Sequence, residues 1–317
     1  MPSATVPLHG PDVEVRRWIR RELATAPPRT PSLIITVWGD AIAPHGGAVM
    51  LAGLIDLLAP FGINERLVRT SVFRLARESW LKARPVGRES LYRLTRDGAR
   101  RFRQAYRRIY APHVEGWNES WEIVIADGPS AEKRRALRQE LQWEGFGTLG
   151  SGVYGRPATA ASAVPRIAAA LHVEREIAVV RASDDAGLGG RTLASLVPDA
   201  WDLTGLSTHY REFLRRFGEV IDRFRMADKA TLDPAQAFIV RTLLIHAYRR
   251  VLLRDPQLPA ALLPLDWPGA AAYALCRDFY RLTHRAAERH LLATLRNARG
   301  RLPPASAEFY HRFGGLG

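Results

Sequence analysis

The stretch of residues 62–95, GINERLVRTSVFRLARESWLKARPVGRESLYRLT, leaves few folds open to this chain. Gly62 permits a sharp turn, Asn64 accepts the free N–H groups of a starting helix, and Ile63 with Val68 forms a hydrophobic staple. Along that helix Val68, Val72, Leu75 and Ser79 share one face, while Arg66, Arg69, Thr70, Phe73, Arg74 and Arg77 share the other. After Trp80 the period drops to two, so residues 81–85 and 90–94 read as short strands around the turn Val86-Gly87-Arg88-Glu89. Upstream, residues 48–59 read as a helix on the spacing of Leu51, Leu54, Ile55 and Leu58, stopped by Pro60 and Gly62. Helix, turn, helix and basic hairpin in this order is the layout of a winged helix-turn-helix. In that motif the second helix presents side chains near its N-terminal end to the major groove.

A basic helix face taken alone is better explained by solvation. Charge distribution separates the two readings. Residues 64–108 hold fourteen Lys or Arg against Glu65, Glu78, Glu89 and Asp97, a surplus of ten within a chain whose formal net charge is +14. That concentration points to a polyanion. The candidate DNA contacts are Asn64, Arg66, Arg69, Thr70, Ser71, Arg74 and Arg77 on the helix and Arg84 and Arg88 in the wing. Phe73 sits among them, where it could meet a thymine methyl group, but it is expected to be buried under the wing or the first helix, turning the groove-facing strip toward Arg66, Arg69 and Thr70.

Around this stretch the chain reads in order. Residues 12–25 form an arm with Arg16, Arg17, Arg20 and Arg21 around Val15, Trp18, Ile19 and Leu23, packing on the next domain or on DNA. Residues 32–42 supply the first helix of the DNA-binding domain, and 43–47 the loop after it. Thr95 caps a linker helix with Arg96, Arg100, Arg103 and Arg107 in a ladder. The pattern lapses over residues 111–120. Strand 121–126, the turn Asp127-Gly128-Pro129, helix 130–143, the hairpin 146–149 and 153–156, helix 161–171 and strand 177–181 give βαββαβ, the ferredoxin-like order. With both helices on one side, the other sheet face is free for a second copy. The remainder is helical, with Asp233-Pro234 capping a helix to residue 253 and a final helix over 270–296; the Gly- and Pro-containing tail from residue 300 is expected to be loosely ordered. The fold class is thus α+β multidomain. Its parts are an arm (1–29), a winged helix-turn-helix with linker helix (30–110), a ferredoxin-like dimerisation domain (111–190) and a helical C-terminal domain (191–317).

Signals for enzymatic chemistry are weak. Gly145, Gly147 and Gly150 spell GxGxxG, but they follow a helix and enter a strand, the reverse of a pyrophosphate loop. No Walker A loop, GxSxG elbow or HExxH is present, and the nine histidines lack ligand spacing. Cys276 lies amid helical apolar spacing, as a core thiol does. No catalytic residue, metal or cofactor is therefore expected, and the absence of a signal peptide or an apolar run of membrane-spanning length points to the cytoplasm. Two alternatives use the middle domain. Asp127, ending the first strand, is placed where a metal-dependent nuclease would carry an acid, but an Asp-Gly-Pro-Ser turn with a helix cap is the better explanation, since one carboxylate is a poor metal site. Trp121 and Tyr154 are candidate stacking aromatics for RNA, or core residues.

Three segments carry a resemblance. SLIITVWGDAIAPHGG (32–47), PFGINERLVRTSVFRLARESWL (60–81) and LLRDPQLPAALLPLDWPG (252–269) are similar, in order, to segments of PaaX-type transcriptional repressors of phenylacetic acid catabolism. The resemblance implies a cytoplasmic homodimer that binds double-stranded operator DNA and leaves it on binding phenylacetyl-coenzyme A or a related acyl-coenzyme A. It also implies the same three-part fold. Such a thioester needs cations for its phosphates and an apolar slot for its acyl group, and Arg241, His246, Arg249, Arg250, Arg254 and Trp267 are the candidates.

Overall fold

The computed structural model describes residues 11–111, 116–159, 161–184, 190–227 and 231–316. The start of the N-terminal arm, and residues 112–115 within the expected domain boundary, lie outside the described residues. Helix α1 (Pro11–Thr25) precedes α2 (Thr30–Val37), which runs into a π turn (Trp38–Ile42) and a 3-10 turn (Ala43–His45). Strand β1 (Ala48–Met50), α3 (Leu51–Leu58), α4 (Glu65–Arg77), β2 (Leu81–Val86), β3 (Glu89–Leu94) and α5 (Arg96–Tyr110) follow. Next come β4 (Trp121–Ile125), α6 (Ala131–Trp143), β5 (Gly147–Gly150), β6 (Val153–Pro157), α7 (Val164–Leu171) and β7 (Ala178–Ala182). The chain ends with α8 (Val197–Ala200), α9 (Leu203–Met226), α10 (Pro234–Leu252), α11 (Gly269–Thr294), β8 (Arg296–Asn297), β9 (Gly300–Arg301) and α12 (Ala307–Tyr310).

Contacts divide this α+β chain into two compact units, Met1–Pro112 with Glu212–Arg250 and Ala271–Gly317, and His113–Arg211 with Val251–Ala270. The expected C-terminal domain is thus shared between both units, because the division falls within α9, α10 and the start of α11.

In the first unit α4 buries Val68, Val72 and Leu75, and α3 buries Leu54, Leu57 and Leu58. Residues 48–50, read from sequence as the first turn of a helix, instead form a strand that pairs with β3, Val49 opposite Tyr92. The hairpin edge supplies partners that local spacing does not reveal. The arm is a docked helix: Val15, Trp18 and Ile19 are buried, Trp18 lies 5.5 Å from the Phe217 ring of α9, and Arg223 pairs with Glu14 at 3.0 Å.

The tail departs most from expectation. Leu302, Phe309, Phe313 and Leu316 are buried, and Arg312 is 1% exposed. Its Nη1 donates to the Asp40 carbonyl at 2.8 Å, and its guanidinium lies 4.1 Å from the Tyr110 ring centre. Asp40 stands in the π turn and accepts from Tyr110 at 2.5 Å and Tyr280 at 2.9 Å. Burial, reinforced by Asp40, pushes both phenols above their ordinary range, so they remain donors. Arg241, 0% exposed, faces Asp40 at 3.4 Å and Glu288 at 3.3 Å. Gly39 makes room beside this cluster, since a Cβ there would lie 2.7 Å from the Phe102 ring of α5.

The second unit has the expected βαββαβ order, folded as an antiparallel sheet β5-β6-β4-β7, the ferredoxin-like arrangement. Val124, Leu137, Leu141, Phe146, Tyr154 and Ile167 form the core between sheet and helices. Glu122 and Arg156 make a buried pair at 2.9 Å. The opposite face is not free as expected: Val197, Trp201, Leu203 and Leu258 cover its Trp121 end, because the chain beyond β7 brings its own apolar residues there. Ile125, Val179 and Val180 remain exposed. Gly147 and Gly150 belong to a hairpin strand, in keeping with the sequence.

Candidate nucleic-acid interface

Helix α4 is set by local rules. The Asn64 side chain accepts from the Leu67 N–H at 3.0 Å, Gly62 takes φ 75° in the preceding turn, and Ile63 and Val68 are both buried. At the other end the helix stops at Arg77. Ser79, assigned from sequence to the packed face, instead adopts φ 60° just past the cap, and Trp80 N donates to Leu75 O at 2.9 Å in a Schellman closure. The Thr95 hydroxyl caps α5 through the Gly98 N–H at 2.9 Å. The Arg101 guanidinium stacks 4.8 Å from the Trp80 ring, fixing wing and linker helix to one another.

The exposed side of α4 carries Arg66, Arg69, Thr70, Phe73 and Arg77 at spacings of three and four, a single stripe. Arg69 pairs with Glu65, and the Thr70 hydroxyl donates to the Arg66 carbonyl at 2.8 Å. Arg74 faces Glu78 at 3.5 Å. Both ion pairs are solvent-exposed and exchange readily for another anion. Two expectations change. Ser71 is buried between Val68 and Leu75, so it packs the helix rather than facing outward. Phe73 is 62% exposed instead of buried, because α2 and β2 cover only the opposite face of α4. In the hairpin, Arg84 and Arg88 are exposed, with Arg88 beside Gly87 at the tip. On α5, Arg96, Arg100, Arg103 and Arg107 are exposed as well.

The effector candidates divide between the units. Arg241, His246, Arg249 and Arg250 lie in the first, Arg254 and Trp267 in the second. Arg241 is committed to Asp40 and Glu288. His246 Nδ1 lies 2.9 Å from Thr36 Oγ1, which also accepts from Arg249 at 2.8 Å. Trp267 packs edge-on against Tyr210 at 5.8 Å, and Arg250 and Arg254 are exposed. Burial, with Arg249, Arg250 and Arg216 nearby, pushes the His246 imidazole down to about 3 from an ordinary 6.5. Between those values the unfolded chain binds a proton that the folded one does not. Stability supplied by neutral His246 is therefore present above pH 6.5 and is lost as pH falls toward 3. The unfolding free energy obtained from denaturant titration should drop by roughly 1–2 kcal/mol between pH 6.5 and 5. His246→Gln should flatten that slope; an unchanged slope in the variant would remove His246 as its source.

Asp127 occupies an exposed turn, Ser130 caps α6 through Lys133 N at 3.4 Å, and the described residues contain no cluster of three or more His, Cys, Asp or Glu able to hold a metal. Trp121 and Tyr154 are buried on opposite faces of the sheet, which leaves neither as an exposed stacking platform. Cys276 is buried, as expected of a core thiol. No helix among the described residues is long and apolar enough to cross a membrane.

Comparison with known proteins adds three matches along the chain: PaaX-like protein over residues 29–98, PaaX protein central Cas2-like domain over 114–194, and PaaX-like protein C-terminal domain over 201–293. The transcriptional repressor PaaX of Escherichia coli (strain K12) is 32% identical over 299 residues, covering 94% of each chain. A solved structure, uncharacterized protein Rv0674 from Mycobacterium tuberculosis, is similar with a TM-score of 0.54 at 27% identity, covering 83% of this chain and 98% of that one.

Proposed function

The chain belongs to the PaaX family, and from that membership we propose that it is a DNA-binding transcriptional repressor of phenylacetate degradation genes rather than an enzyme. The observation that carries the reading is the joint one: likeness to a transcriptional repressor over nearly the whole length, and an arginine-bearing stripe on the outer face of α4 beside a basic hairpin. Residues 30–110 act as a winged helix-turn-helix with α3 and α4 as the helix pair and β2–β3 as the wing. Arg66, Arg69, Thr70, Arg74 and Arg77 face the groove, Asn64 holds the start of the recognition helix, and Arg84 with Arg88 meets the backbone. The protein works in the cytoplasm as a homodimer reading two half-sites about 34–36 Å apart. Exposed Ile125, Val179 and Val180 support self-association through the ferredoxin-like unit.

The effector is an acyl-coenzyme A thioester, phenylacetyl-coenzyme A in the first instance. Exposed Arg254 is the cation of the second unit available to its phosphates, and Trp267 of the same unit borders the apolar part. Release requires the thioester to favour the DNA-incompetent state. Fluorescence anisotropy on a duplex from the protein's own upstream region should show specific binding that phenylacetyl-coenzyme A lowers at least tenfold and free phenylacetate does not. Equal affinity for a scrambled duplex would overturn the repressor reading. Unchanged DNA affinity with the thioester bound, as judged by calorimetry, would overturn the effector assignment alone.

A further inference from the structure

Phe73 has no part in the core of the DNA-binding region. It lies at the middle of the exposed stripe of α4, seven residues after Arg66 and four before Arg77, and at 62% it is the most exposed aromatic side chain among the described residues. The packing of α4 is already complete through Val68, Val72 and Leu75, so folding would be served as well by a polar residue here. The neighbour one turn earlier matters equally. The single hydroxyl hydrogen of Thr70 is held by the Arg66 carbonyl, so Thr70 brings a methyl group to the stripe and no hydrogen for a base. Thr70 and Phe73 therefore make an apolar step within an otherwise cationic strip.

We propose that Phe73, supported by the Thr70 methyl, is a specificity-determining residue that reads the C5-methyl group of thymine in the major groove. This rests on the DNA-binding reading above and extends it to the chemistry of one base step. The surroundings choose the occupant. A protein partner seated on Phe73 would have to desolvate Arg66, Arg69, Arg74 and Arg77, whereas duplex DNA meets those cations with phosphates and base edges and offers an apolar group only through thymine. Arginine fixes the register, and the ring tests for a methyl.

Deoxyuridine scanning tests this with the full-length protein and an operator duplex mapped by footprinting. Each thymine is replaced singly by deoxyuridine, which removes only the methyl. Wild-type affinity should fall about fourfold at one or two positions per half-site, the value of one buried methyl-sized group. Phe73→Ala should bind the unmodified operator roughly tenfold more weakly and be indifferent to those same replacements. Phe73→Leu should recover part of both. Because Phe73 is exposed, neither variant should alter the melting temperature. Methyl sensitivity that persists in Phe73→Ala, or a wild type that binds specifically yet ignores every replacement, would overturn the assignment. Phe73→Ala that leaves DNA affinity intact but changes sedimentation would assign the ring to a protein interface and likewise overturn it. A wild type without preference for the operator over a scrambled duplex would instead sink the underlying DNA-binding reading.

Discussion

Arg312→Ala should cost about 3–5 kcal/mol of folding stability, a penalty out of proportion to a residue five positions from the end of the chain. The reason is where its charge lies. Arg312 is 1% exposed, with Asp40 accepting from it through the main-chain carbonyl at 2.8 Å and lying 3.4 Å away through a carboxylate oxygen. Arg241 approaches the other carboxylate oxygen of Asp40 at 3.4 Å and shares Glu288 with His45, which lies 2.7 Å from that carboxylate. Truncating Arg312 leaves Asp40 with one cation and opens a hole ringed by Tyr106, Tyr110, Tyr280 and Phe309, whose faces now receive the guanidinium. Urea denaturation followed by far-UV circular dichroism should show a lower midpoint with an unchanged slope. Combining Arg312→Ala with Asp40→Ala should cost less than the sum of the single changes, because each single variant strands the other's charge. A loss below about 1 kcal/mol in Arg312→Ala would mean that the tail is held by Phe309 and Phe313 alone. The cluster also has a location that bears on function: it holds Tyr110, the last residue of α5, so the helix leaving the wing is anchored by the C-terminal tail.

That cluster was illegible in the sequence for a physical reason. Asp40 and Arg312 are 272 positions apart, and each reads locally as an ordinary polar residue, one in an apolar helix and one in a Gly-rich tail. Helix α4 is the opposite case. Asn64, Gly62, Ile63 and Val68 act within a few residues of one another, so their spacing predicts the cap, the turn and the staple that are observed. Ser71, counted from sequence among the DNA contacts, is a misreading that helical phase could have prevented, since it falls three residues after Val68 and four before Leu75 and so lies inside. Strand β1 was not legible, since three residues become a strand only when β3 lies alongside. Phe73 shows the limit of reading burial from hydrophobicity. Phase placed it among the arginines, and phase was the better guide than the identity of the side chain. For the ferredoxin-like unit the order of elements followed from strand and hairpin signals, whereas the covering of its second face depended on Trp201 and Leu258, remote segments with no local mark of their destination.

Base and phosphate contacts on this interface should separate under mutation, and the separation tests the orientation of α4. Arg66 and Arg69 stand in the first turns of the helix, the part that reaches base edges when a recognition helix enters the major groove. Arg66→Ala and Arg69→Ala should each weaken operator binding by about 1–3 kcal/mol, roughly 5- to 150-fold, while scarcely changing affinity for a scrambled duplex. Freeing Arg69 from Glu65 costs little, since both side chains are solvent-exposed. Arg84→Ala and Arg88→Ala in the wing should behave differently. They should weaken operator and scrambled duplex alike, and each lost phosphate contact should make the negative slope of log affinity against log salt shallower by about 0.9. Titrations of the four variants on both duplexes at several salt concentrations supply every quantity needed. If Arg66→Ala and Arg69→Ala reduce both duplexes equally and flatten the salt slope, these arginines hold phosphates, and the helix lies across the backbone rather than along the groove. If the wing variants alone change the preference between duplexes, the hairpin is the reading element, and α4 serves to position it.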